Sequence, residues 1–223
     1  MDLKIFKICF YIILSLLIIL FYTKDINIFG NKFYKNIKHI KEPNNIDVLV
    51  NKNNKLSKDY IPNDLILLNN SYSNENKYLR KEAATNFEKL SSDASKLGFR
   101  IIAVSTYRSY IYQKELFNYY VKKNGKNYAL KCSAKPGHSE HQTGLAVDIE
   151  GSNNDYDQFE NSIEFNWMAN NSYKYGFILR YPKGKENITG FKYEPWHYRY
   201  VGFKLAEYLY KNNLTLEEYY NKK

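Results

Sequence analysis

The sequence has only two cysteines among its 223 residues, Cys9 and Cys132. Cys9 lies in a strongly apolar run near the amino terminus, whereas Cys132 lies in the body of the chain. The sequence therefore predicts no structural disulfide, and Cys132 is interpreted as a single packed thiol. Stability has to come from a packed core, for which 44% hydrophobic residues are sufficient.

The chain also lacks a recognisable nucleic-acid-binding motif, although its formal net charge is +10. Such a charge favours anionic partners, which include nucleic acid, membrane surfaces and anionic cell-wall polymers. The lysines are scattered among asparagines and form no cluster. We therefore interpret the charge as a solvated basic surface held close to acidic wall polymer, and we expect no nucleic-acid partner.

An apolar run covers residues 8–22 and is interrupted only by Ser15. No small-x-small cleavage site follows this run, which together with its apolar flanks is long enough to span a bilayer. We predict that residues 1–23 form a membrane-anchor helix. A cleaved signal segment of a secreted protein is the alternative, and a buried core helix is a third. Residues 24–45 are predicted to be a polar linker, and residues 46–223 a single folded domain.

The body of the chain alternates helical and extended patterns. Apolar residues recur at three- and four-residue spacing over residues 74–97, which predicts a helix ended by Gly98. A strand follows over residues 99–106, and Ser109 is predicted to cap a helix that runs to residue 123. The remaining elements predicted are helices over residues 159–175 and 203–211, and strands over residues 46–50, 177–182 and 190–200.

Histidine is scarce, and three of the four histidines lie in two short stretches. Residues 135–150 read KPGHSEHQTGLAVDIE, and residues 194–197 read EPWH. A catalytic zinc ion takes three protein ligands, typically imidazole or carboxylate, and keeps one position open for water. The two stretches can supply such a set from His141, Asp148 and His197.

The spacing of the first two candidates excludes a shared helical face, because seven residues separate His141 from Asp148. They are expected to meet through a loop that bends at Gly144 and leads into a strand carrying Asp148. A polar turn before an ordinary strand, with His141 in solvent, explains the same spacing.

Glu194 and His197 are three residues apart, and such residues point to opposite faces of a regular strand. Pro195 cannot donate to a strand ladder, so it predicts an irregularity that turns both side chains toward one centre. Glu194 is then a candidate general base. The alternative is a carboxylate that only orients His197.

These two stretches resemble the paired SxHxxGxAxD and ExWH motifs of the VanY-type D-alanyl-D-alanine carboxypeptidases. The first motif runs from Ser139 to Asp148, and the second from Glu194 to His197, about fifty residues further on. That family belongs to a zinc peptidase superfamily which also contains lysostaphin-like enzymes and the Hedgehog amino-terminal domain. The resemblance covers about residues 46–213.

The resemblance implies a Zn²⁺ ion held by His141, Asp148 and His197, with Glu194 as the general base. It implies a single α+β domain with a small, mainly antiparallel sheet flanked by helices. It also implies that residue 108 is the substrate-facing arginine of the family.

The other polar residues near the motifs receive separate roles. Arg108 is expected to stabilise the oxyanion that develops on the scissile carbonyl. Ser139 occupies the motif serine and is expected to bind the terminal carboxylate of the substrate. Gln113 is a candidate hydrogen-bond donor to the substrate, with a surface position as its alternative. His138 is interpreted as a residue at the rim of the site or one that supports the ligands from behind, and Glu140 as a solvated carboxylate. Arg180 and Arg199 are interpreted as structural.

The implied activity is removal of the terminal D-Ala from peptidoglycan stem pentapeptides or their precursors. A wall-directed peptidase needs its domain outside the cell, so we expect a single-pass protein of the cell membrane. The alternatives are a D,D-dipeptidase, an endopeptidase that cuts within the stem, and a non-catalytic wall-binding module. Pro195 and the membrane segment argue against the dipeptidase, and Glu194 argues against a pure binder. The sequence predicts no particular oligomeric state.

Overall fold

The computed structural model describes Tyr11, residues 13–15 and residues 33–222. The chain divides into two compact units, residues 1–36 and residues 37–223. Most of the membrane-anchor helix predicted over residues 1–23 lies outside the described residues, although Tyr11 and residues 13–15 are helical. Where the structure describes the chain, no helix has both the length and the apolar character needed to cross a bilayer.

The strands of the second unit form one four-stranded sheet and two small pairs. The four-stranded sheet contains β5 (Ile102–Ser105), β6 (Ala146–Glu150), β7 (Phe177–Leu179) and β8 (His197–Tyr200). Its order is β5-β6-β8-β7, and every pair in it is antiparallel. The small pairs are β1 (Lys38–His39) with β2 (Asn54–Lys55), which are parallel, and β3 (Leu65–Leu67) with β4 (Tyr78–Arg80), which are antiparallel. The small, mainly antiparallel sheet is therefore confirmed.

Helices surround this sheet, as an α+β fold requires. They are α1 (Lys81–Lys96), α2 (Tyr110–Asn124), α3 (Lys126–Cys132), α4 (Ile163–Asn171), α5 (Glu186–Thr189), α6 (Phe203–Asn212) and α7 (Leu216–Lys222). Short 3-10 helices cover Glu140–Thr143, Tyr156–Asn161 and Ser172–Tyr175. Helix α2 begins where it was predicted to begin, because the hydroxyl of Ser109 accepts a hydrogen bond from the backbone N–H of Tyr112 at 3.1 Å.

Helix α1 supplies one wall of the core. Its buried residues recur every three or four positions, so one face of the helix is apolar throughout its length. Phe87 is fully buried in this face, and its ring meets the ring of Phe177 from β7 edge to face at 6.1 Å. The helix thereby packs against the side of the four-stranded sheet.

The start of α1 differs from the prediction, which placed it at residue 74. Tyr78–Arg80 instead pairs with Leu65–Leu67, so the helix begins at Lys81. Periodicity alone does not reveal this because the strand partner lies more than ten residues away. The helix predicted over residues 159–175 is likewise divided into a 3-10 turn, α4 and a second 3-10 turn.

Three predicted strands are shorter than expected and one is absent. The strands predicted over residues 99–106 and 177–182 cover only Ile102–Ser105 and Phe177–Leu179. Residues 46–50 form no strand, because the carbonyl groups of Ile46 and Val48 accept hydrogen bonds from the guanidinium of Arg199. The strand predicted over residues 190–200 is regular only from His197 onward. The folded unit begins at residue 37, so residues 37–45 of the predicted linker lie within it.

Replacing Phe87 by alanine should lower the free energy of unfolding by about 3–5 kcal/mol, because it removes a fully buried ring and leaves a cavity. Leu97→Ala at the end of the same helix is the control, since Leu97 is 65% exposed. Denaturant unfolding of both variants measures the difference. Equal losses would show that α1 does not anchor the core.

Candidate metal centre

A tight turn brings His141 to the centre. The 3-10 helix Glu140–Thr143 ends at Gly144, whose φ of +67° is left-handed. A Cβ at this position would lie 2.7 Å from the side chain of Leu65 and 3.1 Å from that of Arg80. Only glycine allows this bend, as the sequence predicted, and strand β6 starts directly after it.

The pairing of β6 with β8 brings the other two candidate ligands together. Asp148 and His197 are register partners in this antiparallel pair. Directly opposite residues project from the same face with neighbouring Cβ atoms, so the two side chains meet. Nδ1 of His197 lies 2.8 Å from Oδ1 of Asp148, and Nε2 of His141 lies 3.2 Å from Oδ2 of the same carboxylate.

The three side chains fit a zinc ion. One ligand atom from each of His141, Asp148 and His197 lies within 4.8 Å of the others. Two ligands of one zinc ion stand roughly 3–4 Å apart, since each bond is about 2.0–2.2 Å long, so only small shifts are needed. Nε2 of His141 is buried and, despite its 3.2 Å distance from Oδ2 of Asp148, has no hydrogen-bond partner among the described residues. Its lone pair is therefore available to a cation.

Hydrogen bonding defines the metal-facing nitrogen of His141. Its Nδ1 donates to the backbone carbonyl of Thr106 at 2.6 Å, which leaves Nε2 unprotonated when the ring is neutral. Burial lowers the pKa of His141 to about 4, and the positive charge of Arg108 acts in the same direction. The ring is therefore neutral at pH 7, as a metal ligand must be.

His197 has the opposite surroundings. Burial disfavours its charged form, but the carboxylates of Asp148, at 2.8 Å, and of Glu140 outweigh burial and raise the pKa of His197 to about 9. The neighbouring imidazoles, His141 first and His197 second, hold the pKa of Asp148 well below its usual range although burial opposes this. A cation placed among these groups would replace a proton that the metal-free site holds.

Glu194 lies beside the ligands on an irregular turn. The backbone N–H of His197 donates to the carbonyl of Glu194 at 3.2 Å, a turn that spans Pro195 and precedes β8. The carboxylate therefore faces the same centre as His197, with 3.9 Å between Oε2 and Nδ1. The irregularity predicted at Pro195 is confirmed. Burial raises the pKa of Glu194 to about 7, against the opposing charge of His197.

Arg108 lies at the edge of this centre. Its backbone N–H donates to the carbonyl of His141 at 3.2 Å. Its guanidinium lies close enough to lower the pKa of both His141 and Glu194. Its Nε is buried and has no hydrogen-bond partner within the described part of the chain. An arginine with an unused donor beside a buried carboxylate is available to bind an anionic group.

Gln113 and Ser139 are both buried. The Gln113 amide donates to Oγ of Ser133 and to the carbonyl of Ala134, at 3.2 and 2.8 Å, which uses both of its N–H groups. The predicted role as a donor to the substrate is therefore wrong, and only Oε1, which has no partner in the part of the chain that the structure describes, is left to accept a hydrogen bond. Its alternative, a surface position, is wrong, since Gln113 is 1% exposed. Ser139 immediately precedes the 3-10 helix and makes no capping hydrogen bond. Substrate binding by these two residues stays a prediction.

The interpretation of Glu140 as a solvated carboxylate is wrong, because this residue is 1% exposed. Its Oε1 accepts hydrogen bonds from Nε of Arg180 and Nη1 of Arg199, each at 2.8 Å. Arg180 also binds both carboxylate oxygens of Glu217. The structural roles expected for the two arginines are confirmed. One sequence signal could have shown that Arg199 lies near the centre. Arg199 is two residues after His197, so both side chains lie on the same face of β8.

Sequence reasoning also missed Lys52, which is 3% exposed. Its ammonium donates to the carbonyls of Leu130, at 2.5 Å, and Gly190. Burial lowers the pKa of Lys52 to about 8, and Glu194 opposes this shift. The residue thus connects α3 to the segment that leads to Glu194. No local signal marks it within the lysine- and asparagine-rich residues 51–55.

Two histidines and an aspartate on one centre, beside a buried glutamate and an arginine, define a metal-dependent hydrolase site. Comparison with known proteins supports the same class of protein. Residues 76–203 match the VanY family, D-alanyl-D-alanine carboxypeptidase. YodJ of Bacillus subtilis (strain 168) is 46% identical over 193 residues, which are 83% of this chain and 71% of that protein.

Solved structures are similar over most of the chain. The LdcB LD-carboxypeptidase has a TM-score of 0.79 at 45% identity, with 84% of this chain and 91% of that chain covered. A mutant of the vancomycin resistance D,D-pentapeptidase VanY, in complex with Zn(II), has a TM-score of 0.68 at 34% identity, with 78% and 98% covered. The chain belongs to the VanY family of D-alanyl-D-alanine carboxypeptidases, and the resemblance seen in its motifs is confirmed.

Replacing His141 by alanine should abolish stoichiometric zinc binding, because it removes one of three ligands. His138→Ala is a matched control: His138 is also buried in the same loop, but its Nδ1 lies 2.9 Å from the carbonyl of Asn51. Zinc content after dialysis and titration with zinc measure both variants. Loss of zinc from the His138 variant alone would overturn the ligand assignment.

Proposed function

We propose that this protein is a zinc-dependent D-alanyl-D-alanine carboxypeptidase that removes the terminal D-Ala from peptidoglycan stem pentapeptides or their precursors. The observation that carries the proposal is the convergence of His141, Asp148 and His197 within 4.8 Å, with the buried carboxylate of Glu194 beside them. These groups suffice for hydrolysis of a peptide bond by water.

When bound, zinc supplies Lewis-acid polarisation of the scissile carbonyl and activation of water. Glu194 accepts the proton of the attacking water and later transfers it to the leaving amine. Its position 3.9 Å from His197, on a turn rather than in the strand, lets it reach a water molecule that enters the centre. The low exposure of both side chains keeps bulk water away from the reacting groups.

Arg108 stabilises the negative charge that develops on the carbonyl oxygen. It approaches from the side of His141 and Glu194, and its guanidinium has an unpartnered donor for the oxyanion. Ser139 hydrogen-bonds the terminal carboxylate of the substrate, and Gln113 accepts a hydrogen bond from the substrate backbone through its Oε1. The motif position of Ser139, next to the candidate ligand loop, supports the first role, and the position of Gln113 on α2 supports the second.

A second candidate is an L,D-carboxypeptidase, which would remove the D-Ala of a stem tetrapeptide. The specific observation in its favour is the similarity to the LdcB LD-carboxypeptidase, at 45% identity and a TM-score of 0.79. Both candidates use the same metal centre. They differ in the configuration of the residue that precedes the scissile bond.

We further propose that residues 1–23 anchor the protein in the cell membrane and place the enzyme outside the cytoplasm. The apolar run over residues 8–22, without a cleavage site after it, supports this location. A secreted protein is the alternative. Peptidoglycan stem peptides are reached from that side of the membrane.

The purified full-length chain, loaded with zinc, should release D-Ala from a stem pentapeptide that ends in D-Ala-D-Ala. Parallel assays use a stem tetrapeptide and free D-Ala-D-Ala, and amino-acid analysis follows the product. Release from the tetrapeptide alone would establish the L,D activity instead. Cleavage of only the free dipeptide would identify a dipeptidase, and binding without cleavage a wall-binding module.

Glu194→Gln should bind zinc as the wild type does but lower kcat by about 10²–10⁴-fold, because the amide cannot accept the proton. Glu75→Gln is the control, since that side chain is 76% exposed and lies outside the centre. Steady-state kinetics on the pentapeptide and a zinc titration measure both effects. Turnover close to that of the wild type would remove Glu194 from the mechanism.

Arg108→Lys should lower kcat by about 10²–10³-fold, because a lysine ammonium does not reproduce the planar donors of the guanidinium at the oxyanion. Arg100→Lys serves as the matched control, because Arg100 is 41% exposed and binds Glu150 instead. Steady-state measurements of kcat and KM on the pentapeptide compare the two variants. A change confined to KM would assign Arg108 to substrate binding alone.

A further inference from the structure

The carboxylate of Glu140 uses one oxygen and turns the other toward a metal-binding histidine. Its Oε1 accepts two hydrogen bonds from arginines. Its Oε2 is buried, has no hydrogen-bond partner among the residues that the structure describes and lies 3.6 Å from Nε2 of His197. Within the same residues that nitrogen is also buried and without a hydrogen-bond partner. Buried polar atoms are rarely left unpaired, so two that face each other form a donor–acceptor pair after a small approach.

We propose that Glu140 is a positioning residue of the metal centre. Its Oε2 accepts the Nε2 proton of His197, which leaves Nδ1 as the nitrogen that binds the metal. Nδ1 is the ring atom that faces Asp148, at 2.8 Å. A carboxylate behind a ligating imidazole fixes the tautomer and the orientation of the ring and raises its basicity. The inference rests on the proposed zinc function and deepens it.

The surrounding cluster holds Glu140 in the required orientation. Arg180 and Arg199 bind the same oxygen of Glu140, so the carboxylate presents its other oxygen to His197. Arg180 is itself held by a two-point contact with Glu217 of α7, at 2.8 and 2.7 Å. Arg199 is held by the carbonyls of residues 46 and 48. The carboxy-terminal helix and the first residues of the domain thus support one metal ligand from behind.

The two histidine ligands receive this support from different groups. His141 donates its Nδ1 proton to a backbone carbonyl, whereas His197 faces a charged side chain. A hydrogen bond to an ionised acceptor is roughly twice as strong as one between neutral groups. Removing the charge of Glu140 should therefore weaken the hold on His197 and leave His141 as it is.

The test compares Glu140→Gln with Glu217→Gln in the full-length chain. Each variant removes one negative charge from the buried cluster, but only the first alters the group that faces His197. We expect Glu140→Gln to weaken zinc binding roughly 10- to 100-fold, measured by competition with a chelator. Glu217→Gln should lower the melting temperature but weaken zinc binding much less than Glu140→Gln, because the carboxylate that faces His197 is still present.

A spectroscopic signal separates positioning from general stability. In the zinc-loaded protein, NMR should show a slowly exchanging Nε2 proton on His197. In Glu140→Gln this proton should shift upfield and exchange faster, because an amide oxygen is a weaker acceptor. The Nδ1 proton of His141 should not change in either variant.

Charge-balanced double variants cover the case in which a single variant fails to fold. Glu140→Gln with Arg199→Gln and Glu217→Gln with Arg199→Gln each remove one anion and one cation from the cluster. The first pair should lose much more zinc affinity than the second, because only the first lacks the carboxylate that faces His197. Equal affinities, or an unchanged His197 proton without Glu140, would overturn the proposal.

The outcome is distinguishable from failure of the proposed function. If the wild type binds zinc but cleaves no stem peptide, the function fails and the zinc affinities still decide the role of Glu140. If the wild type binds no zinc, both are wrong.

Discussion

The register between β6 and β8 is the constraint on which the metal centre depends. Asp148 and His197 are 49 residues apart in the chain, and they meet because they are paired across these strands. A slip of one residue would turn His197 to the opposite face. The next pair, Val147 with Tyr198, is fully buried on that opposite face, so core packing and ligand geometry depend on the same register.

The bends at the metal centre could be predicted from the sequence because each is local, whereas the meeting of Asp148 with His197 across 49 residues was implied only by the family motifs. Gly144 needs a left-handed conformation, and Pro195 interrupts the strand, and both effects are encoded within a few residues. The burial of Glu140 is not encoded in this way. Its partners Arg180 and Arg199 lie 40 and 59 residues further along the chain, so residues 135–150 alone indicate a solvated polar turn. The late start of α1, at Lys81, also results from a contact that is distant in sequence, because residues 78–80 pair with residues 65–67.

The buried cluster shows how the domain termini contribute to a central site. Removing one partner of a buried ion pair costs about 3–5 kcal/mol, because the other charge loses its compensation. Glu140, Arg180, Arg199 and Glu217 are at most 8% exposed and compensate one another through short hydrogen bonds. Helix α7 therefore does more than cover the core with apolar residues. It supplies the carboxylate of Glu217. Without this charge, Arg180 would share the single carboxylate of Glu140 with Arg199.

The pKa values of two carboxylates at the centre are shifted in opposite directions because of their positions. Asp148 lies within the strand, between two imidazoles at 2.8 and 3.2 Å, and these contacts favour its ionised form. Glu194 lies before the strand, with 3.9 Å to His197, and burial favours its neutral form. A carboxylate that stays ionised suits metal binding, whereas one that changes protonation near pH 7 suits proton transfer. The interruption at Pro195 thus separates the two roles, because a continuous strand would turn Glu194 away from the centre.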